Sequence, residues 1–207
     1  FDKNKYELVN TGYKAPAVPG TVAGLLEAHK QFGKLTLEEI LQPVIKQATD
    51  GVPVTYDLRK AIESTPRLKS DHESRKIYFK DNKPLRESSI FIVPGLAKTI
   101  SLIAKNGRDG FYKGETADKI ITAMNNNGGL FSEKDLINYK PYIRKPISVN
   151  YRGNKVYTAG PPSGGGITLL TALRILEQFD LSKHESNSST TYHLISEAIR
   201  RGHNNRS

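Results

Sequence analysis

The sequence predicts an α+β fold, a mainly helical lobe carrying a small β-hairpin element, on three observations. Apolar residues recur at helical spacing through most of the first 140 positions, the period drops to two after Pro141, and a glycine-rich run at Gly160–Gly166 leads back into helical spacing. No repeat and no long linker interrupts this order, which reads as one structural unit. Its parts are an arm or loop at 1–17, a mainly helical stretch at 18–140, the hairpin and glycine-rich turn at 141–166, and helices at 167–207.

The elements follow in order. Val22, Leu25, Leu26 and His29 space the first helix over Gly20 to Phe32, and Gly33 stops it. Thr36 and Glu39 form a capping box for a second helix, in which each side chain satisfies a backbone donor left orphaned at the helix start. Its stripe is Leu37, Ile40, Leu41, Val44 and Ile45; Pro43 removes one donor inside it and should kink or split it, and Gly51 ends it. A short helix follows Pro53, from about Tyr56 to Ile62. Residues Thr65 to Ser89 read as the least structured stretch, with a brief strand at Ile77 to Phe79 and a turn at Asn82, Lys83 and Pro84. Further helices are predicted over Pro94 to Lys105, Glu115 to Asn125, and Ser132 to Tyr139, the last opened by Ser132 and Asp135. Ile147, Val149 and Tyr151, a turn at Arg152, Gly153 and Asn154, then Val156 and Tyr157 describe the hairpin. Helices over Ile167 to Phe179 and Thr190 to Arg201 complete the chain, and its stop at Ser207, with no element to close the core, suggests a piece of a longer protein.

Composition bounds the function. The hydrophobic fraction is 37% and the charged fraction 25%, which fits a globular chain rather than a disordered or fibrous one. No apolar run approaches the roughly 18–20 residues that span a bilayer, so membrane insertion by this chain is not expected. Cysteine is absent, which excludes a disulfide scaffold, a thiolate metal site and a cysteine nucleophile. The net charge of +10 raises nucleic acid as a partner, but the basic residues stand singly or in pairs such as Arg59 with Lys60, and no aromatic interleaving accompanies them. Nucleic-acid binding is therefore not expected.

Local chemistry is sparse. The run Gly160, Pro161, Pro162, Ser163, Gly164, Gly165, Gly166 lies between a strand and a helix, where backbone donors can meet an anion. It lacks the lysine of a phosphate-binding loop, and Pro161 stands where a nucleophile elbow requires glycine. His29, His72, His184, His193 and His203 show no metal spacing, and His193 with Glu197 reads as a helix-surface pair. Asp71, Glu73, Asp109 and Asp118 are not brought together as an acid–base pair by anything in the sequence. No cofactor or metal is expected.

Several ordered motifs carry a resemblance. Val18, Pro19, Gly20, Thr21, Val22, Ala23 and Gly24 resemble the signature of γ-glutamyltranspeptidases. Gln42 and Pro43, Asp50 to Val54, Phe111 to Gly114 with Ala117, Gly128 to Leu130, Asp135, Leu136, Asn138, Tyr139, Pro146, Ile147, and Tyr151 to Gly153 continue in that family's order, closing on Pro161, Pro162, Ser163, Gly165 and Gly166. Gly160 and Gly164 depart from it, standing where proline and serine are usual. The resemblance covers about Val18 to Ser207 and implies part of the large subunit of an N-terminal-nucleophile hydrolase. Such a protein is made as a precursor that cuts itself, and it is periplasmic or extracellular.

The implied activity is cleavage of the γ-glutamyl amide of glutathione and related compounds, with transfer to water, amino acids or peptides. A threonine leading the small subunit would attack, its own α-amino group serving as base. That threonine is expected beyond Ser207, and the arginine that grips the substrate carboxylate before Phe1, so the chain alone should be inactive with no catalytic residue of its own. Ser163 is the one nominated substrate contact. The partners implied are the small subunit of the same precursor and a γ-glutamyl compound. The alternatives are a glutaryl or cephalosporin-type acylase on the same scaffold, and a non-enzymatic anion- or protein-binding module using Gly160–Gly166.

Overall fold

The computed structural model describes residues 9–205, so most of the arm's start and the last two residues lie outside the described residues. Contacts between Cα atoms cluster into two compact units, Phe1–Pro141 and Tyr142–Ser207, and the boundary falls where the sequence changes period.

The first unit is built from helices. They are α1 (Thr21–Phe32), α2 (Leu37–Asp50), α3 (Tyr56–Glu63), α4 (Arg67–Ser70), α5 (His72–Tyr78), α6 (Leu96–Asn106), α7 (Asp109–Tyr112), α8 (Gly114–Asn126) and α9 (Glu133–Asn138). The capping box of α2 is present in full: Glu39 N–H donates to Thr36 Oγ1 at 3.2 Å, and Thr36 N–H to the Glu39 carboxylate at 2.7 Å. Gly51 ends that helix at a φ of 82°, where an L side chain would be strained. The expected kink at Pro43 is not a break. The helix runs unbroken from Leu37 to Asp50; Pro43 is exposed, and so is Glu39, whose carbonyl loses only the bond that Pro43 cannot donate.

Thr65 to Ser89 is more ordered than its polarity suggests. Asp71 accepts from Ser74 N–H at 2.8 Å and starts α5, which takes in Ile77 and Tyr78, so the expected strand there shrinks to Phe79. Strands β2 (Phe79–Lys80) and β3 (Lys83–Pro84) pair antiparallel around Asp81 and Asn82, whose φ values are 50° and 58°. The turn lies one residue earlier than predicted because a two-residue hairpin needs positive φ at both central positions, which proline cannot adopt. A second short pair joins β1 (Val52–Pro53) to β4 (Ile90–Phe91), with Val52 opposite Phe91.

The main core of this unit gathers Ala23, Tyr112, Ala117, Met124, Phe131 and Leu136. Tyr112 is fully buried; its hydroxyl donates to Pro19 O at 2.6 Å and accepts from Ala23 N–H at 3.2 Å. Burial pushes its phenol up, and the Ala23 N–H partly offsets this. Tyr139 stacks on the same ring at 6.1 Å, the Arg108 guanidinium covers it at 4.3 Å, and Arg108 Nη2 donates to Ile137 O at 2.9 Å. A Cβ on Gly20 would collide with the Tyr139 hydroxyl. The segment Val18–Thr21 is thus clamped by aromatic rings from α7 and the end of α9.

On the surface, Glu115 of α8 accepts from Lys119 at 2.8 Å and from Lys98 of α6 at 2.7 Å, and these cations hold its carboxyl at about 2. A depressed carboxylate adds stability above its ordinary value of 4.5, and that contribution is lost as pH falls from there toward 2. In an NMR titration of the full-length protein the Glu115 carboxyl should therefore titrate below the other glutamates. Lys119→Met and Lys98→Met should each move its midpoint upward, and no movement in either would discount the pairing.

The second unit holds the hairpin β5 (Ile147–Tyr151) and β6 (Asn154–Thr158), in a register that sets Val149 opposite Val156. Arg152 and Gly153 turn it at φ 48° and 79°, and Asn154, expected in the turn, begins β6. Helices α10 (Gly164–Leu176) and α11 (Ser189–Asn204) pack through Ala172, Leu176 and Ala198. They approach closely at Gly202, where a Cβ would lie 2.6 Å from Thr168 O.

Candidate functional site

The sequence places its one candidate on Gly160–Gly166, and the structure corrects how that run is built. Helix α10 starts at Gly164, three residues before the predicted Ile167, so its three glycines are the first helical turn rather than loop. The turn proper is Gly160 to Ser163, closed by Ser163 N–H donating to Gly160 O at 3.0 Å. Arg144 Nη1 donates to Pro161 O at 2.8 Å and fastens the turn to the strand leading into β5. Gly166 is buried against the end of β6: a Cβ there would overlap Ala159 O and lie 3.0 Å from Thr158 Oγ1.

Ser163 is exposed, stands at the N-cap of α10, and caps nothing with its side chain. Its hydroxyl is therefore unused by the fold, and it stands beside a helix start of the kind suited to a carboxylate or other anion. They are not a catalytic set. Residues 158–168 contain no titratable side chain, and among the described residues the Ser163 hydroxyl has no hydrogen-bond partner, so no base is engaged with it to activate it as a nucleophile.

The remaining sequence candidates serve the fold or the surface. His29 Nε2 lies 2.7 Å from Leu35 O across the α1–α2 loop, and His72 lies beside Glu73 at the surface. His193 acts on Glu197 through charge alone: the hydrogen bonds to Glu197 come from Arg200 at 2.7 and 3.0 Å, a fork that a guanidinium fits better than an imidazole. Asp71 caps α5, Glu73 pairs with Lys76 at 2.8 Å, and Asp109 pairs with Lys113 at 3.0 Å, so these carboxylates are separately engaged. Among the described residues no three His, Asp or Glu side chains converge on a metal-sized space. The sequence reading missed the clamp of Tyr112, Tyr139 and Arg108. Its signal was the Phe111–Gly114 motif, which marked the family without showing that the tyrosine is buried.

Known proteins decide the family. The sequence model of the gamma-glutamyltranspeptidase family matches residues 1–207. This chain belongs to that family. The glutathione hydrolase proenzyme of Escherichia coli strain K12 is 38% identical over 199 residues, which are 95% of this chain and 34% of that protein. The acylase ACY 1 proenzyme of Pseudomonas sp. strain SE83 is 35% identical over 190 residues, 91% of this chain and 34% of that one. The crystal structure of Helicobacter pylori gamma-glutamyltranspeptidase superimposes with a TM-score of 0.93 at 34% identity, covering 99% of this chain and 60% of that chain. The chain thus spans about a third of the length of the curated relatives it matches. The α+β, mainly helical lobe of an N-terminal-nucleophile hydrolase expected from the resemblance is the fold found. Among the described residues no helix is long and apolar enough to cross a membrane.

Proposed function

We propose that this chain is a structural lobe of a periplasmic or extracellular γ-glutamyl transferase and glutathione hydrolase, whose attacking threonine lies on polypeptide outside these 207 residues. The observation that carries the reading is a family match over residues 1–207 in a chain that offers no activated nucleophile among its described residues. Thr21, Thr36 and Thr190 are internal, so none has the free α-amino group that would serve as its base, and Thr36 is committed to its capping box. Two apolar residues on one face of α1 also stand uncovered, Leu25 at 66% and Phe32 at 79% exposure, as a surface awaiting further protein would.

In the proposed reaction the threonine hydroxyl adds to the γ-glutamyl carbonyl and its amino group takes the proton and returns it to the leaving amine. The ester left behind is opened by water or by the amine of an acceptor. The small subunit of the same precursor and glutathione or a related γ-glutamyl compound are the partners. Ser163 is our candidate for the one substrate contact from this lobe, because its hydroxyl is exposed and unused by the fold.

The full-length precursor, after self-cleavage, is expected to release p-nitroaniline from γ-glutamyl-p-nitroanilide, whereas residues 1–207 alone, checked as folded by helical circular dichroism, release none. Turnover by the folded 207 residues would sink the reading. Because an acylase is among the relatives, glutaryl-p-nitroanilide is the second substrate; preference for it by the full-length protein would favour the acylase alternative.

A further inference from the structure

The sequence contains four pairs in which Asn or Asp precedes Gly: Asp50–Gly51, Asn106–Gly107, Asp109–Gly110 and Asn127–Gly128. Such pairs can cyclise, because glycine has no Cβ to hinder attack by its own backbone nitrogen on the preceding side-chain carbonyl. Whether one reacts depends on whether that nitrogen is free. Gly51 N–H donates to Gln47 O at 2.9 Å, Gly107 N–H to Ile103 O at 2.8 Å, and Gly110 N–H to Gly107 O at 3.2 Å. Gly128 N–H donates to no protein group among the described residues. Asn127 and Gly128 are both exposed, Asn127 has already left the helix at ψ 13°, and Gly128 sits at φ 69° with nothing within 4 Å of a Cβ.

We propose that Asn127 is a site of spontaneous deamidation. The Gly128 nitrogen loses its proton and bonds to Asn127 Cγ, and the side-chain amide nitrogen leaves as ammonia. Water opens the resulting succinimide at either carbonyl, giving aspartate or isoaspartate. The side chain must first release its bond from Nδ2 to Ala123 O, 2.8 Å long and exposed at the helix end.

The position gives the change a consequence. Gly129 N–H reaches back to Met124 O at 2.8 Å, the closing bond of the turn that ends α8, and Met124 belongs to the main core of the first unit. A new carboxylate meets the negative end of the α8 dipole and can no longer donate to Ala123 O. Isoaspartate adds a carbon to the backbone within the turn that holds Gly129 against Met124, where even a Cβ would collide with the Met124 sulfur. Conversion of Asn127 thus loosens a core contact as the protein ages.

The test is peptide mapping by mass spectrometry, resolved to the residue, of the full-length protein held in mildly alkaline buffer. In the folded protein, acid is expected to accumulate at Asn127 several-fold faster than at Asn106, because Asn127 gives up only an exposed side-chain bond, whereas Asn106 lies within α6 and Gly107 N–H is held by Ile103 O. In the denatured chain the two should convert at similar rates. Equal rates in the folded protein, or an Asn127 that converts only when denatured, would overturn the proposal. Aged protein should also lose melting temperature in proportion to conversion, while aged Asn127→Ser keeps its own; an equal loss in that variant would overturn the link to the core.

Discussion

Tyr112→Phe in the full-length protein is expected to lower stability by about 2–4 kcal/mol, although it removes a single oxygen. The hydroxyl of the fully buried Tyr112 holds two neighbouring backbone groups that are 93 and 89 residues away from it in sequence, Pro19 C=O at 2.6 Å and Ala23 N–H at 3.2 Å. Phenylalanine fills the same space but leaves both groups unpaired, and each buried unsatisfied group costs about 1–3 kcal/mol. Tyr139 supplies the comparison. Its ring stacks on Tyr112 at 5° between planes, yet its hydroxyl has no hydrogen-bond partner among the described residues. Tyr139→Phe should therefore stay within about 0.5 kcal/mol of the parent. Urea unfolding midpoints at unchanged slope measure both. Equal effects of the two substitutions would show that the Val18–Thr21 segment is held by ring packing and not by the Tyr112 hydroxyl.

That clamp illustrates what the sequence made legible. Local chemistry was readable wherever one or two residues decide it: the Thr36–Glu39 capping box, the stop at Gly51, and the Arg152–Gly153 turn all stand where backbone donors and positive φ require them. The Val18–Gly24 motif was readable as a family mark, and the match over residues 1–207 agrees. Its physical purpose was not, because Tyr112 lies 93 residues from Pro19 and nothing local ties them. The split allowed for at Pro43 and the low order expected over Thr65 to Ser89 went astray for a related reason. Propensity weighs each residue alone, whereas Pro43 at an exposed position costs one solvent-side bond, and side-chain caps such as Asp71 to Ser74 organise a polar stretch. The turn that carries Ser163 was legible in position but not in build, since three successive glycines read as loop until packing against β6 is seen.

Gly166 and Gly165, neighbours in that run, are expected to respond to the same substitution with opposite signs. A Cβ on Gly166 overlaps Ala159 O and sits 3.0 Å from Thr158 Oγ1; the first is backbone at the end of β6 and has no rotamer to give. Gly166→Ala must push α10 off the strand, and overpacking of this kind costs about 3 kcal/mol. Gly165 is exposed, and its nearest neighbour would be Ser163 Oγ at 4.0 Å. Alanine there restricts the unfolded chain and favours the helix, so Gly165→Ala should add about 0.5 kcal/mol. The same pair probes the proposed contact of Ser163 with substrate. Displacing α10 also displaces the turn from Gly160 to Ser163, so Gly166→Ala in the full-length protein should raise KM for γ-glutamyl-p-nitroanilide even well below its melting temperature. Ser163→Ala should raise KM without lowering that temperature, because the fold makes no use of its hydroxyl. An unchanged KM in Ser163→Ala would remove this lobe from substrate binding and leave α10 a purely structural helix, whose glycines serve only its close seat on β6.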